Sequence, residues 1–155
     1  MRIAVCDDNI QDIERIKRYT VSMIDYAVDY DFFTKPEELL KTYVKSEQKP
    51  DMYILDIEMP GMDGLAVAKQ IRTYDSKALI VFLTSYTKYM PDVFEVVTFD
   101  FIPKPITEDR LRLLFVKAEA YLNMTNQTFS FCYRRSRYSL KFDEILYLEK
   151  KGRQA

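Results

Sequence analysis

Four apolar runs of this sequence end on residues that can do chemistry. "RIAVC" runs into Asp7 and Asp8, "YIL" into Asp56, "LIVFL" into Thr84 and Ser85, and "DFIP" into Lys104, which stands between Pro103 and Pro105. As parallel strands, these runs would deliver all of those groups to one edge of a sheet, the edge where open α/β folds bind ligands. Three carboxylates gathered there repel one another and resist desolvation, so they call for a bound cation or for protonation. Oxygen ligands alone favour Mg²⁺, which keeps part of its water shell and accepts phosphate oxygens beside one or two carboxylates. Lys104 offers a mobile positive charge and Thr84 a hydroxyl donor, both suited to phosphoryl oxygens. The remaining need is a nucleophile. A carboxylate serves as phosphoryl acceptor by forming an aspartyl-phosphate. Asp56 is the best placed, alone at the end of a central strand with the turn residues Pro60, Gly61 and Gly64 behind it. Taken singly, each has a blander reading: a strand-end Asp as a turn or cap residue, Asp7 and Asp8 as helix caps, Lys104 as a solvated side chain. It is the set, in this chain order, that points to phosphoryl chemistry.

Composition narrows the alternatives. The 155 residues contain no histidine, which removes His general bases, Ser-His and Cys-His pairs and His-ligated zinc. The two cysteines, Cys6 and Cys132, cannot make a Cys-only zinc site or a disulfide framework, and Cys6 in an apolar strand reads as a buried structural thiol. With three glycines, neither a P-loop nor a GxGxxG turn can be written. Hydrophobic residues make up 48% and charged residues 30%, values of one globular domain. No run approaches the length of a membrane span, and "MRIAVCDD" reaches acid too early for a signal peptide, so a cytoplasmic protein with no membrane partner is expected. The net charge of −1 hides an asymmetry. Residues 131–155 hold seven Lys/Arg and three Asp/Glu, while the other 130 residues hold 16 and 21, a local +4 beside −5.

The elements that must position the chemistry follow from periodicity. "RIAVC", "DYDFFT", "DMYILD", "ALIVFLTS" and "FDFIP" read as strands. A helix is expected after Asn9, with Ile10, Ile13, Ile16, Met23 and Ile24 on one face and Asp12 in its first turn. Thr34 to Glu37 matches a capping box opening a second helix. "GLAVAKQIRTY" gives a third. "YMPDVFEVV" is a weaker one, and "TEDRLRLLFVKAEAYLN" carries an apolar stripe of Leu111, Leu114, Phe115, Ala118 and Leu122. The strand–helix alternation implies an α/β fold, a doubly wound parallel sheet with helices on both faces. "NMTNQT" is polar and aperiodic, so residues 123–130 are expected to link to a short β-rich extension beginning "FSFCYRRSRYSLKF".

Over residues 1–122, "VCDDN", "YILDIEMPGMDG", "FLTSY" and "DFIPKP" together resemble the receiver domain of bacterial two-component response regulators. The resemblance implies a flavodoxin-like five-stranded sheet of order 2-1-3-4-5. It also implies that Asp56 accepts phosphate from the phosphohistidine of a sensor histidine kinase, which would supply the histidine missing here. Mg²⁺ or Mn²⁺ would be held by Asp7, Asp8, Asp56 and the backbone carbonyl of Glu58. Lys104 would pair with the phosphoryl group, across a Lys104–Pro105 bond expected to be cis. Thr84 and Phe101 would be the switch pair, Thr84 moving inward and Phe101 filling the space. Glu58 and Tyr86 occupy positions that influence water attack on the acyl phosphate. The sequence departs from the pattern at Ser85, Pro91, Pro103 and a missing glycine near Val97 to Phe99.

"FDEILYLEKKGR" resembles the opening of a LytTR-type DNA-binding domain, and "FTKPEELL" and "FEVVTFDFIPKPI" resemble receivers attached to such domains. Residues 131–155 would then be the incomplete start of a domain that contacts DNA, and phosphorylation would control transcription, with a homodimer through the last two receiver helices. The chain would be a phosphoacceptor regulator and not an enzyme. Two alternatives stand beside this one. A Mg²⁺-dependent phosphohydrolase with an aspartate nucleophile is opposed because such enzymes carry their second acid in a "DxD" followed by small residues, whereas here "DIEMPG" turns away with Pro60. A stand-alone receiver or binding module acting by protein–protein contact is opposed, in its phosphate-free form, by the intact acids, Thr84 and Lys104.

Overall fold

The computed structural model describes residues 1–22, 28–85, 96–125, 128–134, 136–141 and 145. It divides into two compact units, Met1–Leu114 and Phe115–Ala155.

The first unit is built on five parallel strands, β1 (Arg2–Cys6), β2 (Asp29–Phe33), β3 (Met52–Asp56), β4 (Leu79–Thr84) and β5 (Asp100–Pro103), in the order β2-β1-β3-β4-β5. The apolar runs are apolar because both faces of the sheet are covered: every residue of β3 and β4 is buried. Side chains alternate across the sheet. Ala4, Cys6, Tyr53, Leu55, Ile80 and Phe82 join one cluster with Leu39, Leu40 and Tyr43 of α2 (Pro36–Tyr43) and Val67, Ala68 and Ile71 of α3 (Gly64–Tyr74). By the same alternation Ile3, Val5, Ile54, Val81 and Leu83 face the other side. Outside the first cluster, buried apolar residues include Ile13 and Ile16 of α1 (Ile10–Val21) and Leu111, Leu114, Phe115 and Ala118 of α4 (Glu108–Thr125).

Caps and turns set where the helices begin. Asn9 caps α1, its side chain accepting from the Gln11 N–H at 3.0 Å, with Asp12 in the first turn. Asp63 caps α3 by accepting from the Ala66 N–H at 2.7 Å. The expected capping box of α2 does not form: Lys35 is the N-cap, with no side-chain hydrogen bond, and Pro36 opens the helix. A proline fixed at φ near −65° with no N–H to satisfy starts the helix one residue later than Thr34 would, which takes Thr34 out of register with Glu37. Ile10 is 63% exposed, so the buried face of α1 begins with Asp12 and Ile13; Met23 and Ile24 lie outside the described residues.

Most of the weaker helix expected over "YMPDVFEVV" also lies outside the described residues, as does Tyr86. Of its end, Val96 is buried, while Val97 is exposed and has φ +51°, a left-handed backbone without the usual glycine. Arg72 grips this point. Its Nε donates to the Val96 carbonyl at 3.0 Å and its Nη2 to the Val97 carbonyl at 2.8 Å. Its Nη1 also reaches the carbonyl of Ala78, just before β4, at 2.8 Å.

The span 123–130 expected as a linker is mostly regular structure. α4 continues to Thr125 and β6 (Thr128–Tyr133) begins three residues later. Asn123, Met124 and Thr125 include no Pro or Gly to stop a helix, and polarity alone does not end one. β6 pairs antiparallel with β7 (Ser136–Lys141), from Thr128↔Lys141 to Tyr133↔Ser136. Stacked rings join Phe129 to Phe131 and Phe131 to Tyr138, the latter at 5.4 Å between centroids. The expected strands in "EILYLEKKGRQA" fall outside the described residues, Ile145 apart. Among the described residues no helix is long and apolar enough to cross a membrane.

Candidate functional site

Parallel polarity does what the sequence pattern required. Asp7 and Asp8 follow the last residue of β1, Asp56 ends β3, Thr84 ends β4 and Lys104 follows β5. The register sets Cys6 beside Leu55, Asp56 beside Leu83 and Thr84 beside Pro103, so the strands finish level. Lys104 is tied in from its backbone, its N–H donating to the Thr84 carbonyl at 2.8 Å; the Lys104–Pro105 peptide bond is cis.

The turn after Asp56 is held tight by two glycines. Gly61 has φ +84°, a conformation that glycine adopts without cost. At Gly64 the constraint is contact: a Cβ there would lie 2.0 Å from the Asp56 carbonyl oxygen. The Gly64 N–H donates to the Ile57 carbonyl at 2.9 Å, so the N-terminus of α3 closes directly onto the end of β3.

At the centre lies the Lys104 ammonium. Its Nζ is 2.7 Å from Asp7 Oδ2, 3.0 Å from Asp56 Oδ2 and 3.0 Å from Asp12 Oδ2. Asp7, Asp12 and Asp56 are 1%, 7% and 5% exposed, and Thr84 is 1% exposed. Asp8 is exposed. The Asn9 N–H donates to Asp7 Oδ1 at 2.9 Å, and the Glu58 N–H lies 3.4 Å from Asp56 Oδ1. Phe101 is half-buried against the cluster under α2 and α3.

Asp12 was legible only as a helix-dipole residue, and the structure adds it to the site. Its Oδ1 takes a 2.8 Å ion pair from Arg15 Nη1. Its spacing placed it near that edge, in the first turn of a helix that starts at a strand's carboxyl end, but did not set which way it faces.

Burial dominates the electrostatics. It pushes the Asp7 carboxyl up to about 6, against the opposing Lys104 ammonium and Asn9 N–H. It raises Asp56 as well, again opposed by Lys104. For Lys104 burial acts downward, but contact with Asp7 and Asp56 outweighs it and the ammonium is held above its ordinary value. Burial, reinforced by neighbouring acids, lifts the Cys6 thiol to about 12, and Cys6 instead donates to the Met59 sulfur at 3.6 Å. The cleft is thus an all-oxygen donor set.

Asp7, Asp8 and Asp56 each present an oxygen, and the three lie within 4.8 Å of one another. Asp7 Oδ2, fully buried, has no aligned hydrogen-bond donor: Lys104 meets it as an ion pair without directed geometry. A buried acceptor in that condition, beside two more carboxylates, fits a hard divalent cation. The four acids Asp7, Asp8, Asp12 and Asp56 outnumber Lys104 and Arg15 by two, the charge such an ion brings.

The family model of the response regulator receiver domain matches residues 3–115, and the chain belongs to that family. It is similar to the sensory transduction protein LytT of Oceanobacillus iheyensis, 38% identical over 79 residues, which are 50% of this chain and 31% of that one. It is also similar to the positive alginate biosynthesis regulatory protein of Pseudomonas aeruginosa, 30% identical over 118 residues, covering 76% of this chain and 47% of the relative. The chain therefore spans less than half the length of these curated relatives. Among solved structures, the response regulator TrrA of Thermotoga maritima in complex with Mg(2+)-BeF matches with a TM-score of 0.64 and 32% identity over 76% of this chain and 97% of that one. The response regulatory domain of mrkE from Klebsiella pneumoniae shares the fold, with a TM-score of 0.71 and 24% identity over 79% and 98% of the two chains.

Proposed function

We propose that this chain is the phosphoacceptor of a two-component pathway, modified on Asp56 by a sensor histidine kinase. The observation that carries the reading is Lys104 Nζ 3.0 Å from Asp56 Oδ2 at the mouth of a three-carboxylate cluster. In the reaction an Asp56 oxygen attacks the phosphorus of a phosphohistidine. The O–P bond forms, the N–P bond breaks and the imidazole nitrogen keeps the electron pair. Asp7, Asp8, Asp56 and the Glu58 carbonyl would hold Mg²⁺, or Mn²⁺ in its place, whose charge offsets that of the transferring phosphoryl oxygens. Lys104, already at Asp56, turns its ammonium to those oxygens. The hydroxyl of Thr84 donates to them, and half-buried Phe101 packs into the space Thr84 leaves. The new dianion thereby biases a two-state surface at the β4–β5 side of the sheet.

The downstream reading is transcriptional control by a cytoplasmic regulator. Residues 1–122 act as the receiver, 123–130 join the two parts, and 131–155 open a LytTR-type DNA-binding domain that contacts DNA when whole. Similarity to LytT and to the alginate regulator supports it, as does the +4 balance of the last 25 residues. Phosphorylation would favour a homodimer. The protein would catalyse nothing beyond its own phosphorylation and dephosphorylation.

The test is a mass measurement. Incubated with a small acyl-phosphate donor and Mg²⁺, the wild type gains one phosphoryl group and Asp56→Asn gains none. A gain that survives the substitution, or no gain in the wild type, overturns the assignment.

A further inference from the structure

The Lys104 ammonium has three carboxylates within 3.0 Å, on Asp7, on Asp56 and on Asp12, and donates an aligned hydrogen bond to Asp56. The first two belong to the set of acids that can share a cation. Asp12 does not. It comes from a different element, the first turn of α1, is nine-tenths buried, and is steadied on its far oxygen by Arg15 at 2.8 Å. A carboxylate in that position has one evident effect, which is on where the lysine ammonium rests.

We propose that Asp12 is a positioning residue for Lys104: it restrains the ammonium from an incoming phosphoryl group and tunes the cleft toward the cation at the expense of the anion. This rests on the phosphoacceptor reading of Asp56 and adds to it. A phosphoryl group at Asp56 must draw Lys104 away from Asp12, and it brings its own dianion into the neighbourhood of the Asp12 carboxylate. Both effects oppose the anion, and both vanish when Asp12 loses its charge. For Mg²⁺ the sign reverses, because Asp12 adds to the negative field that attracts it. Arg15 tempers Asp12 by drawing on Oδ1, so removing its guanidinium should strengthen the restraint.

These opposed signs separate positioning from a merely structural role. In the full chain, beryllofluoride serves as the phosphoryl mimic and is titrated at saturating Mg²⁺ by fluorine NMR; Mg²⁺ alone is titrated by calorimetry. Asp12→Asn, which keeps size and shape, is expected to bind beryllofluoride about tenfold more tightly, the scale of one ion pair in a partly buried site. Its Mg²⁺ affinity should fall by roughly fivefold, the scale of one partly screened unit charge. Arg15→Met should shift both affinities the opposite way by a smaller factor, since Arg15 is one-third exposed. If both affinities of Asp12→Asn fall together, or neither moves by about twofold, the positioning role is overturned. If the wild type takes no beryllofluoride, it is the phosphoryl-site reading that fails, and this role falls with it.

Discussion

One ammonium among three buried carboxylates is the residue-scale fact from which the cleft's behaviour follows. Taking Lys104 away leaves Asp7, Asp12 and Asp56 without their shared cation. Removing one partner of a buried ion cluster costs about 3–5 kcal/mol. Lys104→Gln should therefore lower the metal-free unfolding free energy by about that much, with part of the loss recovered in millimolar Mg²⁺, as read by urea melts with and without chelator. A lysine free in solvent would give no such loss. Asp7, Asp8, Asp56, Thr84 and Lys104 could be located from sequence because each closes an apolar run, and parallel polarity does the rest. Asp12 could not. An acid in a helix's first turn satisfies the macrodipole whichever way it faces, and one sequence does not report the rotation of that turn about the helix axis.

At the scale of elements, two short backbone junctions of the sheet unit can be tested one residue at a time. The first is the close approach of α3 to β3 at Gly64. In Gly64→Ala the added carbon meets the Asp56 carbonyl, which is backbone and cannot rotate away. The substitution should cost about 1–3 kcal/mol, visible as a lower urea midpoint, and should slow phosphorylation because it pushes on the residue that accepts the group. The second junction is Val97, left-handed and β-branched, where strain costs on the order of 1–3 kcal/mol. Its side chain is exposed, so Val97→Gly loses little packing and should raise stability by roughly 1 kcal/mol once glycine's greater unfolded-state entropy is subtracted; a lower thermal midpoint would contradict the strain. The missing glycine was visible in the sequence. That the chain keeps the left-handed turn regardless was not, because Arg72 holds the two carbonyls from α3, far away in sequence. The α2 capping box misled for a related reason: it was judged on local composition, while Pro36 decided where the helix begins.

At the scale of the whole molecule, the alternation of elements was plain because buried strands such as β1, β3 and β4 read as apolar runs separated by amphipathic helices; the strand order followed only from the resemblance to receiver domains. The partition into two units was less plain, since its boundary falls inside α4, whose sequence is uniformly helical. Two tyrosines give the sheet unit a measurable response to alkali. Tyr43 and Tyr53 are 2% and 0% exposed, and burial raises both phenols well above 10; Tyr43 also donates to Asp31. A raised folded-state value means a contribution fully present below pH 10 that declines as pH climbs toward the folded value. Each phenol should remove about 1.4 kcal/mol per pH unit in that range. Tyrosinate absorbance from these two should appear only with cooperative unfolding; smooth titration of all twelve tyrosines at constant far-ultraviolet dichroism would refute it. The two thiols, finally, are chemically unequal. Cys6 is sealed within β1 and Cys132 is open on β6. A maleimide dye at neutral pH will mark Cys132 alone, so the unaltered chain carries a single labelling handle, on the β6–β7 hairpin.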